Sequence, residues 1–195
     1  RQHGTSLGVE IDGNHALAVT MSDGVVVQSR TYSAVSGVGA LQAALEGARV
    51  RSNVRVVVNG TKVAARYLNV AATVGEPAAL DAHLHHGLSV PDTWLCSAIT
   101  DPARDNEYAL AVATDPAAVI TAYEVLDSAQ TSGEVVSVPA CLLGLDSVIV
   151  RVGRRSVDVT IAASGSVVYF AALATPGTDA FAARIGGSQA RERFM

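Results

Sequence analysis

Residues 148–170, VIVRVGRRSVDVTIAASGSVVYF, decide the fold, because the chain has written the same pattern once before in residues 8–29, GVEIDGNHALAVTMSDGVVVQS. Setting Gly165 over Gly24 aligns the two stretches without a gap, at an offset of 141 residues. Glu10 then falls on Arg151, Asp12 on Gly153, Ala18 on Val159 and Val27 on Val168. Each copy alternates apolar and polar residues with period two, breaks at a tight turn, and breaks again at Asp23-Gly24 or Ser164-Gly165. That is the signature of three strands joined by hairpins. A small-residue segment able to start a helix follows each copy, from Ser36 in the first and from Gly177 in the second. A strand–strand–strand–helix unit is thus predicted twice.

Working outward from the first copy, residues 38–50 read as a helix with Leu41, Leu45 and Ala48 on one face. Val54-Arg-Val-Val-Val58 is a short β-branched run of the kind found in buried parallel strands, and it ends at the turn signal Asn59-Gly60. From Lys62 to about Thr131 the pattern changes to βαββα. A strand spans 62–70; a helix opens at Gly75-Glu76-Pro77 and runs to Gly87, a C-cap candidate. Two strands, 93–100 and 107–114, flank the polar loop 101–106. Asp115-Pro116 caps a helix over 117–130 whose apolar face is drawn from Val119, Ile120, Tyr123, Val125 and Leu126. Residues 134–138 form another strand and 139–145 a short helix before the second meander. The expected organisation is a first lobe of residues 1–61 plus 132–147, an inserted subdomain of 62–131, and the start of a second lobe at 148–195.

Composition limits what such a chain can be. Hydrophobic residues make up 49% and charged residues 16%, which is the balance of a folded protein with a core, not of a disordered one. A net charge of −4 gives no basic footprint for nucleic acid; Arg151, Arg154 and Arg155 are the one concentrated positive cluster. Cys96 and Cys141 lie in apolar stretches and read as buried thiols, not a bridge. No run approaches the roughly 18–20 apolar residues of a membrane span. Starting at Arg1, the chain reads as a fragment, with room for a membrane anchor outside it.

The order of these elements resembles the actin-like (ribonuclease H-like) α/β fold of sugar kinases, heat-shock ATPases and bacterial actins: a βββαβα lobe, an inserted βαββα subdomain and a second, incomplete lobe. Arg66-Tyr-Leu-Asn-Val70, Glu76-Pro-Ala-Ala-Leu80 and Gly87-Leu-Ser-Val-Pro91 resemble the type IV pilus assembly PilM family. So do the strand and helix at Tyr108–Asp115 and Pro116–Tyr123, and the return segment Val135–Cys141. The cytoplasmic domain of the type II secretion L protein and the division protein FtsA are more distant likenesses. In that family the two meander turns hold ATP phosphates and Mg²⁺ between the lobes, because polyphosphate needs bare backbone amides and the metal needs hard oxygen ligands.

This chain departs from the family at those turns. Glu10 and Asp12 stand where aspartate and glycine are expected, and Arg151 replaces the second aspartate. Arginine cannot ligate Mg²⁺. The resemblance therefore implies a pseudo-ATPase with no cofactor: a scaffold at the inner face of the cell membrane that binds the cytoplasmic tail of an inner-membrane assembly protein or a secretion ATPase. The implied contact surface involves the strand and helix of residues 66–87. The alternative is an altered nucleotide switch, with Asp12, Gly13 and Asn14 of the first turn and Gly153, Arg154 and Arg155 of the second holding Mg-ATP. A self-assembling homo-oligomer is the third expectation. A bland role for Arg151, Arg154 and Arg155, pairing across the cleft with Glu10 and Asp12, competes with anion binding. The trio His83, His85 and His86 with Asp81 offers one i, i+3 pair but no full ligand set, and reads as a solvated or interface helix.

Overall fold

The computed structural model describes residues 4–73, 75–100, 107–137, 139, 146–152, 156–163 and 166–174. The first copy folds as β1 (Thr5–Asp12), β2 (His15–Ser22) and β3 (Val25–Ser33). Helix α1 (Gly37–Ala48) and strand β4 (Val54–Val58) follow. With β8 (Gly133–Ser137) they form a five-stranded sheet of order β3-β2-β1-β4-β8, in which β4 runs parallel to both β1 and β8. The β-branched run at Val54 is therefore the buried parallel strand its composition predicts.

The second copy folds as β9 (Ser147–Val152), β10 (Ser156–Ala163) and β11 (Ser166–Ala174), order β11-β10-β9. Its register reproduces the first. Val9 faces Ala18 and Val150 faces Val159, 141 residues on in both strands. The one irregularity recurs too: pairing shifts after Thr20 in the β2–β3 hairpin and after Ile161 in the β10–β11 hairpin. A bulge at the same step of both hairpins is hard to obtain from two unrelated meanders, because bulges are specific local devices.

Between the two copies lie β5 (Val63–Asn69), α2 (Pro77–Leu88), β6 (Leu95–Thr100), β7 (Tyr108–Thr114) and α3 (Pro116–Ser128). Strands β5-β7-β6 make an antiparallel sheet with α2 packed against it. Helix α3 instead packs beside α1 on the first sheet, and its Ala122, Val125 and Leu126 join the core built from Leu7, Val9, Leu41, Leu45 and Val56. The stretch expected as one inserted unit is thus divided in its packing.

Three local expectations are corrected. The buried stripe of α3 is Ala122, Val125 and Leu126, at i, i+3 and i+4; Ile120 and Tyr123 are exposed. Gly87 is not the C-cap of α2. It lies inside the helix, where a Cβ would meet Leu68 Cδ1 at 2.5 Å, and the cap is Ser89 in the left-handed region at φ 56°. Close contact with Leu68, not a turn, is what calls for glycine there. Cys96 is a free, half-buried cysteine. Cys141, the loop 101–106, most of the helix expected at 139–145 and the segment from Gly177 lie outside the described residues.

Candidate functional site

The β1–β2 turn is set by its neighbours. Gly13 has φ 64°, and a Cβ on Gly37, the first residue of α1, would stand 2.6 Å from the Gly13 carbonyl oxygen, so the turn rests directly on the helix start. Asn14 donates from Nδ2 to the Ala34 carbonyl at 3.1 Å and accepts from the Ala34 amide at 3.0 Å. These bonds tie the turn to the loop leading into α1.

Below the turn, Asn59 at the end of β4 donates through Nδ2 to Glu10 Oε1 at 2.7 Å and to the Ile11 carbonyl at 3.0 Å. Arg151 donates from Nη1 to the same Glu10 oxygen. Its Nε and Nη2 both go to Asp158 Oδ2, Nε at 2.7 Å. Asp158 is 1% exposed, and its Oδ1 has no hydrogen-bond partner. Arg151 and Glu10 keep side-chain exposures of only 21% and 25%. The guanidinium is therefore wedged between two carboxylates from different sheets. A buried acid in this position demands a partner, and the fork of an arginine satisfies it while reaching across to the other copy.

Beside this pair opens a groove of about 500 Å³ at the carboxyl ends of β1 and β4, between the N-termini of α1 and α3. Ile11, Val57 and Val58 supply apolar floor; Asn59, Lys62 and Thr121 supply polar rim. The carboxyl edge of parallel strands is where open α/β sheets bind their ligands. Lys62 Nζ donates to Asp115 Oδ2 at 2.6 Å, and Asp115 Oδ1 caps α3 by accepting from the Ala117 amide at 3.0 Å. That lysine bond holds the Asp115 carboxyl below its ordinary value. Gly60, at φ +61°, closes the corner where the copies meet: a Cβ there would lie 2.7 Å from Ser156 Oγ of the second copy.

No family model matches the sequence, and no curated protein matches it at a significant level. Solved structures do resemble it. A chain of the "PilM-PilN type IV pilus biogenesis complex" superposes with TM-score 0.69 at 18% identity, over 97% of this chain and 66% of that one. The cytoplasmic domain of EpsL, an inner membrane component of the type II secretion system of Vibrio cholerae, gives TM-score 0.63 at 14% identity, over 95% and 76%. A Bacteroides thetaiotaomicron protein described as having an actin-like ATPase fold and unknown function gives 0.50 at 8%, over 90% and 72%. The chain has the actin-like fold.

Within that fold the residues singled out from sequence separate. Glu10 and Arg151 are brought into contact, as their matched positions in the two copies predict. Asp12 and Gly13 line the groove, and Asp12 also borders a smaller cavity of about 270 Å³ with Glu10, His15 and Arg151. Asn14 is engaged with Ala34. Gly153, Arg154 and Arg155 lie outside the described residues. His83 Nε2 meets the Asn69 carbonyl at 2.8 Å and both His85 nitrogens meet carbonyls. Among the described residues no group of three or more His, Cys, Asp or Glu is placed to hold a metal ion.

Asp158 and Asn59 were missed by sequence reasoning. A signal for Asp158 existed: it is the lone acid in Val157-Asp-Val-Thr-Ile and sits directly across the hairpin from Arg151, where opposite charges pair. Asn59 carried none beyond its turn dipeptide.

Proposed function

We propose that this chain is a non-catalytic actin-like adaptor domain of a bacterial envelope assembly machine, of pilus or secretion type, which grips a partner protein and does not hydrolyse ATP. One observation carries the reading: Arg151 stands between the two meanders, bonded to Glu10 on one side and Asp158 on the other. In an actin-like ATPase the charge between these turns belongs to a metal and a polyphosphate. Here a fixed guanidinium takes up the carboxylates that a divalent cation would need, and it repels the cation.

The partner of this reading is the cytoplasmic tail of an inner-membrane assembly protein, with a secretion ATPase as the second candidate. The groove between α1, α3 and the start of β5 has the size and the mixed apolar and polar lining to take a short extended segment. The resembling structures include a pilus biogenesis complex and an inner-membrane component of a secretion system, which supports a station at the inner face of the cell membrane. No described helix is long and apolar enough to cross a membrane.

Calorimetric titration with Mg-ATP tests the non-catalytic half. No saturable heat from the wild type, and none from Arg151→Asp, is the expected result; saturable micromolar binding by the wild type would overturn it and turn attention to Asp12 and Gly13. The binding half is tested by titrating a synthetic cytoplasmic tail of an inner-membrane pilus protein. Thr121→Trp, which fills the groove from α3, is expected to weaken that binding at least tenfold, about 1.4 kcal/mol.

A further inference from the structure

The C-terminal end of α2 holds a buried histidine in an arrangement that its neutral form cannot satisfy. His85 is 7% exposed. Its Nδ1 lies 2.9 Å from the Asp81 carbonyl oxygen, one turn back on α2, and its Nε2 lies 3.0 Å from the Trp94 carbonyl oxygen, in the turn that feeds β6. A carbonyl only accepts, so both ring nitrogens must donate. A neutral imidazole carries one N–H and one lone pair; whichever tautomer formed, a lone pair would point at a carbonyl oxygen in a buried site. The imidazolium satisfies both.

We propose that His85 is a pH-operated staple: protonated, it clamps the end of α2 to the 91–94 turn, and losing that proton releases the clamp. The surrounding charges agree with the cation. On its own helix the Asp81 carboxylate lies 3.6 Å from Nδ1. From the turn, Asp92 adds a more distant negative charge. On β6 the Cys96 thiol is pushed up by burial and then by Asp81, so it stays uncharged. From β5, Arg66 spends Nη1 on the Gly87 carbonyl at 3.1 Å. His83, on the same helix, is bonded to the Asn69 carbonyl, and His86 lies one residue on. The Asp81 carbonyl and then the Trp94 carbonyl hold the imidazolium above its ordinary value of 6.5; burial works against the charge but is outweighed, and the Asp81 and Asp92 carboxylates add to it.

A group held above its unfolded value stabilises fully below that value and ceases to as pH rises to the folded midpoint. The staple is thus closed below 6.5 and opens as pH rises through the folded midpoint above it. What it controls is local. The Ser89 amide bonds to the His86 carbonyl and the Val90 amide to the His85 carbonyl, so both report on the C-cap that the staple anchors.

Nitrogen NMR of the imidazole rings in the intact chain, from about pH 5 to about pH 9, tests this directly, since the two ring-nitrogen shifts distinguish the cation from either neutral tautomer. The doubly protonated ring is expected to predominate at pH 6.5 and to titrate above it. Hydrogen-exchange protection of Ser89 and Val90 is expected to fall by up to about tenfold per pH unit between 6.5 and the folded midpoint, then level off. His85→Gln, which cannot titrate, should flatten that dependence. Neutral-ring shifts at pH 6.5 in the wild type, or the same pH dependence of protection in His85→Gln, would overturn the proposal. Should the variant not fold, the ring shifts of the wild type decide alone.

Discussion

The two meanders share register, bulge and the bounds of their second and third strands, yet among the described residues they bury opposite faces. In the first, Leu7 and Val9 are 1% and 0% exposed beneath α1, while Leu17 and Val26 on the other face are 41% and 55% exposed. In the second, the equivalents of the buried pair, Val148 and Val150, are 66% and 56% exposed, while the equivalents of the open pair, Asp158 and Val167, are each 1% exposed. Neither strand pattern dictates this, since both faces of the second copy carry apolar residues. The neighbour decides: α1 covers the first sheet, and β5 with its sheet covers the second, where Phe170 and Val167 join Val63, Ala65, Leu110 and Val112. A duplicated unit keeps its hydrogen-bond ladder because that is local; its buried face follows from whatever packs on it.

The contact between Glu10 and Arg151 locates where the copies meet. Equivalent residues of two related units touch only close to the axis relating them. Two identical copies would set glutamate against glutamate there. Arginine in the second copy turns that repulsion into a bridge, and Asp158, standing where the first copy has Leu17, secures the arginine from behind.

Breaking this asymmetry at its charged centre should have the largest effect. Arg151→Ala leaves Asp158 buried without its cation and is expected to cost about 3 kcal/mol in chemical denaturation. Adding Asp158→Leu, the first copy's residue, should recover most of that loss; a double variant as unstable as the single one would mean the cost lies in lost contact between the copies. Next comes a matched pair on the α1-side face. Val9→Ala should destabilise by about 2 kcal/mol, two buried methyl groups' worth, whereas Val150→Ala, its equivalent, should change stability by less than about 0.5 kcal/mol. Similar losses at both sites would contradict the opposite burial described above.

Smaller effects sharpen the same comparison. Glu10→Ala removes one acceptor from Arg151 but leaves Asp158 in place, and a loss of about 1 kcal/mol is expected. Asp115→Ala removes the cap of α3, the helix that shares the first core, and should also cost about 1 kcal/mol near neutral pH. Because Lys62 holds the Asp115 carboxyl low, its contribution is present above the ordinary value of 3.8 and lost as pH falls through the depressed one. Melting curves of wild type and Asp115→Ala should therefore converge in acid.

Much of this architecture was legible beforehand. Period-two alternation, the Asp-Gly and Ser-Gly turns and the β-branched run at Val54 are local signals; they identified both meanders as three strands and placed β4 to β8 within about two residues. The offset between copies, read from glycines, reproduced the register to the residue. Sequence also placed Glu10 opposite Arg151, because a duplication makes matched positions meaningful even when their identities differ.

Other features needed the folded chain. That α3 joins the first core, that Gly87 yields to Leu68, that His85 faces two carbonyls, and that Asp158 joins Glu10 in anchoring Arg151 all depend on which elements lie against each other. The sequence by itself determined the strands, their turns and their duplication, because hydrogen-bonded ladders and turn chemistry act over a few residues. Only the tertiary structure decided which face of each sheet is buried and which charge answers which, because burial and ion pairing are settled between segments far apart in the chain.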